Sequence, residues 1–311
     1  MDYIAIGIGL ILLIKGGDWL LESAVALSLR LNIPKIVIGM TVVSFATSAP
    51  ELIVSVNAAL NGYPNLALGN VVGSNVANLA LVLGVVLIIT PITVPKAFYK
   101  LDWPMLFSSS LLFYLLILQD GVLSQWEGGL LLALLFLFLF FLFLFQKKEM
   151  LEEEIVSSAS FSAVRTVTVL LIGGFCLWLG SEVLIKGAVG LATSMGVSER
   201  VISISVVSLG TSIPELSASI IAILNKEKGI SLGNLIGSNI FNILAVMGIA
   251  SLITPIGSID PELINKDFIW MLAVTTLLLP LVLLPKVMEL GRRSGILLLL
   301  IYLLFIFKMF L

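Results

Sequence analysis

The stretch Val43-Ser44-Phe45-Ala46-Thr47-Ser48-Ala49-Pro50-Glu51-Leu52 sets hydroxyls, a helix-breaking proline and a carboxylate in the middle of an otherwise apolar run. A carboxylate at that depth reads as an ion or proton site by default. The same device returns as Val207-Ser208-Leu209-Gly210-Thr211-Ser212-Ile213-Pro214-Glu215-Leu216, 164 residues on. Two copies in register imply a mechanism rather than an accident of composition.

The bulk of the chain agrees with a bilayer setting. Of 311 residues, 59% are hydrophobic and 12% charged, and the mean hydropathy is +1.16. A soluble domain has no means of hiding that much apolar surface, whereas runs of about 20 apolar residues mark bilayer spans. The single Cys176 excludes an intrachain disulfide framework, and the absence of histidine removes the commonest transition-metal ligand. No zinc or haem chemistry and no resident cofactor is expected. A net charge of −2 without a basic run points away from nucleic acid. No protein partner is evident beyond the lipid bilayer. Met1-Asp2-Tyr3 lacks the basic start of a cleavable leader, so the first apolar segment is expected to remain as a span.

Hydropathy places about ten spans, near residues 3–29, 35–60, 66–90, 101–118, 127–145, 166–193, 199–224, 230–253, 268–285 and 294–310. Turn-rich connections stand at Asn61-Gly62-Tyr63-Pro64-Asn65 and at Asn225-Lys226-Glu227-Lys228-Gly229. The longest polar link, 147–165, carries Glu152-Glu153-Glu154 and joins two halves, 1–146 and 166–311. With the N-terminus outside, twelve cations fall on inner loops, among them Lys96, Lys100, Lys147, Lys148, Arg292 and Arg293, against Arg200, Lys266 and Lys308 outside. That bias predicts a multi-pass protein of the plasma membrane with its central link cytoplasmic.

The 164-residue offset extends well beyond the two motifs. It pairs Gly16 with Gly180, Asn61 with Asn225, Gly69-Asn70 with Gly233-Asn234, Gly73-Ser74-Asn75 with Gly237-Ser238-Asn239, Asn78 with Asn242, Gly84 with Gly248, and Thr90-Pro91 with Thr254-Pro255. Five spans per half is an odd number, so the second copy crosses the membrane in the opposite sense. The predicted fold class is therefore an all-α polytopic membrane protein, about ten transmembrane helices arranged as two inverted five-helix repeats. Inverted repeats with helices broken at corresponding places are the sequence mark of secondary transporters.

Pro50 has no N–H, so the carbonyl of Ala46 loses its helical partner; Pro214 does the same to Gly210. Freed carbonyls, the hydroxyls of Thr47, Ser48, Thr211 and Ser212, and the carboxylates of Glu51 and Glu215 are hard oxygen donors of the class that suits Ca²⁺ and Na⁺. Ser48-Ala49-Pro50-Glu51 and Ser212-Ile213-Pro214-Glu215 also fit a capping box, which explains how a helix restarts but not why it restarts twice at mid-membrane. In the second elements, Gly69/Gly73 and Gly233/Gly237 suit close helix packing. Ser74 and Asn78, four residues apart, share a helical face, as do Ser238 and Asn242; this suits either ligation or interhelical bonding. Asn75 and Asn239 point elsewhere and tie helices together. If Glu51 and Glu215 face each other, one divalent ion or two monovalent ions neutralise the pair, which is the logic of an antiporter.

The two motifs, S-F-A-T-S-A-P-E and S-L-G-T-S-I-P-E, each followed by G-N-x-x-G-S-N, resemble the α-repeats of the sodium/calcium exchanger family. The resemblance implies a Ca²⁺/Na⁺ antiporter working by alternating access, with spans one and six sliding across the core. It implies central ligation by Glu51 and Glu215. Sodium sites would be lined by Thr47, Ser48, Ser74 and Asn78 and by Thr211, Ser212, Ser238 and Asn242, and completed by main-chain carbonyls at Ser44 and Ser208. Ala46 stands where a glycine usually precedes the Thr-Ser pair. Asn242 replaces the aspartate of potassium-dependent relatives, which disfavours K⁺ co-transport. Neither Gly69-Asn70 nor Gly233-Asn234 continues as the G-N-x-x-E of proton-coupled exchangers. The alternatives are H⁺ or K⁺ coupling, another divalent cargo, or a passive cation channel. An intramembrane enzyme with Ser48 or Ser212 as nucleophile lacks a base. Lys15 with Asp18, and Glu182 with Lys186, fall at helical spacings that suit structural ion pairs.

Overall fold

A computed structural model describes residues 2–146, 162–194, 210–284 and 287–309. The helices are α1 Asp2–Leu31, α2 Lys35–Thr47, α3 Ala49–Leu60, α4 Pro64–Ile89, α5 Phe98–Asp120, α6 Gln125–Gln146, α7 Ala163–Ser194, α8 Ile213–Leu224, α9 Lys228–Ile253, α10 Leu263–Leu283 and α11 Arg292–Met309. Among the described residues, seven helices are long and apolar enough to cross a membrane, or eight if the α2–α3 pair, bent by 46°, counts as one. Residues 147–161 of the central link and the first part of the seventh expected span lie outside the described residues.

Helix ends follow the turn chemistry. α3 stops at Leu60 before Gly62, whose φ of 75° is left-handed and free of strain for glycine. α8 stops at Leu224 before Lys226, which adopts φ 65° with a side chain in place. α5 and α10 begin earlier than hydropathy suggests. Their first residues form π-helical turns, Phe98–Asp102 and Leu263–Asp267, that carry charges and so break the apolar pattern without breaking the backbone. Two very short strands, β1 Ile92–Thr93 and β2 Glu289–Leu290, pair antiparallel.

The chain divides into two compact units that cut across the sequence halves. The first comprises Met1–Pro50 with Met150–Asn234. Here α1 and α7 run along each other through glycines seven residues apart. A Cβ on Gly16 would meet the Leu177 backbone nitrogen at 2.8 Å, and one on Gly180 would meet that of Leu13 at 2.9 Å. Only hydrogen at those positions lets the backbones approach so closely. Leu13, Leu20, Leu21, Ala24, Ile38, Val43, Leu177 and Ile221 form its core.

The second unit comprises Glu51–Glu149 with Leu235–Leu311. Gly84 of α4 packs against α11, where a Cβ would lie 2.9 Å from Leu299 Cγ. Its counterpart Gly248 of α9 packs against α6, 2.9 Å from Leu132 Cγ. Each third span thus rests on the fifth span of the opposite copy, which is why the spatial grouping ignores the sequence midpoint.

Candidate ion-binding site

Every described candidate residue is buried. Ser44, Thr47, Glu51, Ser74, Asn78, Glu215, Ser238 and Asn242 show no exposure, and Ser212, Ser48 and Thr211 at most 9%. Ser208 lies outside the described residues. Among the described residues no three acidic or Cys side chains gather in one place.

In the first unit, both proline breaks have the same local geometry. Ser48, between α2 and α3, has φ −84° and ψ 3°; Ser212, just before α8, has φ −87° and ψ 1°. These fall in the sparsely populated bridge region between helix and strand. The hydroxyl of Ser48 donates to Glu215 Oε1 at 3.4 Å, long but within reach. Pro214 leaves the carbonyl of Gly210 without its helical donor, and Ser181 Oγ of α7 takes that place at 2.8 Å. At the position 164 residues earlier stands Gly17, which carries no hydroxyl.

Asn234 of α9 joins three stretches of this unit. Its Oδ1 accepts from Thr47 Oγ1 at 3.1 Å, its main-chain oxygen from Ser44 Oγ at 3.0 Å, and its Nδ2 donates to Ser219 Oγ at 3.3 Å. Glycines permit the approach: a Cβ on Gly39 would lie 2.6 Å from Ile230 O, and one on Gly233 3.0 Å from Met40 N. The expected packing role of Gly233 is met. Gly69 differs, since a Cβ there would find an ordinary 3.6 Å contact with Leu263 Cδ1.

In the second unit, Asn70 repeats part of this pattern. Its Nδ2 donates to Glu51 O at 3.3 Å and to Ser55 Oγ at 3.0 Å, holding the first turn of α3 where the carboxylate is attached. Asn70 and Asn234 are repeat partners in the sequence, and their positioning role emerges in the fold. The signal was available, because Ser55 and Ser219 share the 164-residue offset with them.

Asn75 ties helices as expected, its Nδ2 donating to Asn239 O at 3.2 Å. The Asn239 side chain does not: its Nδ2 donates to Leu235 O at 2.7 Å, one turn back in its own helix. Asn242 Nδ2 donates to Asn75 Oδ1 at 3.1 Å, while its own Oδ1 has no partner among the described residues. Neither polar atom of the Asn78 amide has a partner among the described residues, and neither has Ser212 Oγ. Asn78 lies in the π-helical turn Ala77–Val82, and Asn242 opens the matching turn Asn242–Met247. Such turns recur at functional sites. A buried amide without partners is unfavourable by about 1–3 kcal/mol for each lost bond.

The remaining intramembrane charges divide. Lys186 Nζ sits 3.9 Å from Glu182 Oε2 on an exposed surface. No ion pair joins Lys15 to Asp18 among the described residues; Lys15 is on an exposed face while Asp18 is half-buried.

The family model for sodium/calcium exchanger protein matches residues 2–144 and 165–311. The chain belongs to the sodium/calcium exchanger family. Within it, the chain is 37% identical over 302 residues to the proposed antiporter CaxA of Alkalimonas amylolytica, covering 95% of this chain and 94% of that one. It is 28% identical to the sodium/calcium exchanger MaX1 of Methanosarcina acetivorans, over 100% and 99% of the two chains. The solved sodium-calcium exchanger NCX_Mj superposes with a TM-score of 0.83 at 30% identity, covering 97% and 96%. The family fold is thus shared along the whole chain: an all-α polytopic membrane protein of about ten helices in two inverted repeats.

Proposed function

We propose that this family member is a secondary antiporter of the plasma membrane, exchanging Ca²⁺ for Na⁺ by alternating access. Glu51 and Glu215 supply the negative charge that a divalent cation neutralises. The hydroxyls of Thr47, Ser48, Thr211, Ser212, Ser74 and Ser238 and the amides of Asn78 and Asn242 supply neutral oxygens, joined by main-chain oxygens at Ser44 and Ser208. The two sequence halves act as the repeats, with the link 147–165 joining them. The observation that carries this reading is the matched break at Ser48 and Ser212, each ahead of a fully buried glutamate. A structural cap does not call for buried carboxylates, since burying a charge is strongly unfavourable unless it is compensated. The similarity to MaX1 and NCX_Mj supports sodium as the counter-ion.

The test is ⁴⁵Ca²⁺ uptake into proteoliposomes with Na⁺, H⁺ and K⁺ gradients imposed one at a time. An outward Na⁺ gradient should drive uptake, and the other two should not. Glu51→Gln and Glu215→Gln should each abolish it. Uptake driven by H⁺ alone would replace the coupling ion, and uptake with no counter-ion would make the protein a channel.

A further inference from the structure

The second unit holds a cleft of about 460 Å³, none of whose lining residues belongs to the polar set described above. It forms where β1 and β2 tie the connection after α4 to the connection before α11. Ile92 stands opposite Leu290 and Thr93 opposite Glu289, and Val94 N donates to Met288 O at 2.9 Å. Lys96, Tyr99 and Trp103 line one wall, and Leu279, Leu283 and Val287 the other. Tyr99 and Trp103 are one helical turn apart, as are Leu279 and Leu283, so each wall is largely one helix face. Trp103 is fixed in place: its Nε1 donates to Thr275 O at 2.9 Å and its ring stacks on Phe107.

The volume falls within the range of ligand pockets, and the lining narrows the ligand. Largely aliphatic and aromatic walls, with the Tyr99 hydroxyl their one free-standing polar side-chain group besides Lys96, give a soluble polar solute little to bond, and the one charged lining group, Lys96, repels cations. An anion carrying an apolar tail satisfies both. Leu283 is 40% exposed and Val287 72%, so the cleft opens outward along the ends of α5 and α10. Tyr and Trp at span ends mark the headgroup level of a bilayer, and basic pockets between spans bind anionic headgroups. Nearby charge reinforces the sign. Lys100 Nζ lies 6.0 Å from the centre of the Tyr99 ring. Arg292 and Arg293 follow β2 after Gly291, and with Lys100 they outnumber Glu289 and the buried Asp102.

We propose that this cleft binds an anionic phospholipid, with its phosphate on Lys96 and the upper part of one acyl chain along Trp103, Leu279 and Leu283. The proposal is independent of the transported ion. To test it, the full chain is reconstituted in phosphatidylcholine bilayers doped with dibrominated phosphatidylglycerol or dibrominated phosphatidylcholine. Quenching of Trp103 is taken as the difference between wild type and Trp103→Phe. Phosphatidylglycerol should quench about fivefold more strongly, the ratio expected of one lysine beside an anionic headgroup. Lys96→Gln should cut the difference severalfold, and Lys96→Arg should keep it. Equal quenching in the wild type, or a preference undiminished by Lys96→Gln, overturns the site. Native mass spectrometry gives a second readout without Trp103→Phe. Leu283→Trp, which fills the cleft, should lose one retained phosphatidylglycerol that the wild type carries; unchanged retention would overturn the proposal.

Discussion

Two asparagines separate the residue-scale roles. Asn78 is fully buried with both amide atoms unpartnered among the described residues, so the protein without ions gains no bonding from its polarity. Asn78→Leu, similar in volume, should leave the ion-free Tm unchanged or raised, because it removes an unsatisfied group. The rise in Tm on adding NaCl, measured against choline chloride, should shrink, since a ligand stabilises only as far as it binds the folded state. An undiminished sodium effect would remove Asn78 from the site. Asn234 is the converse. Its side chain accepts from Thr47 and donates to Ser219, bonds that exist without any ion. Asn234→Ala should lower stability by about 1–3 kcal/mol with or without Na⁺. A double-mutant cycle with Thr47→Val should show coupling; strict additivity would refute the bond.

At the scale of elements, the proline break was legible in the sequence but its repair was not. Pro214 identifies Gly210 as the carbonyl that loses its donor; only the fold reveals that Ser181, 29 residues away in the chain, replaces it. The hydroxyl belongs to α7, the sixth span, which family resemblance implicates in sliding. Were α7 to move as that resemblance implies, its bond to the break would bias the protein toward the arrangement in which the bond forms. Ser181→Ala should therefore cost about 1 kcal/mol of stability and shift the balance of inward and outward states, read as altered protection of cysteine probes flanking α8. Unchanged labelling would reduce Ser181 to a packing residue. The π-helical starts of α5 and α10 are hidden in the hydropathy for a related reason. Lys100, Asp102, Lys266 and Asp267 interrupt the hydropathy that defines a span, while the backbone continues through them.

At the scale of the molecule, hydropathy predicted the number and order of the spans, and the duplicated register their grouping into two copies, because motifs and packing glycines recur together at an offset of 164 residues. It did not predict that the compact units draw on both halves. That follows from Gly84 meeting α11 and Gly248 meeting α6, contacts between segments far apart in sequence that a one-dimensional pattern does not encode. Orientation, by contrast, is a property of the loops rather than of packing, and the excess of lysine and arginine sets it. With Cys176 changed to serine the chain has no thiol, so single cysteines report topology cleanly. Tyr63, 63% exposed between α3 and α4, belongs to an outer loop under the assignment, and Ser157 to the cytoplasmic link. In intact cells a membrane-impermeant maleimide should label Tyr63→Cys and spare Ser157→Cys, which should react only after lysis. The opposite pattern would invert the protein in the membrane and place the N-terminus inside.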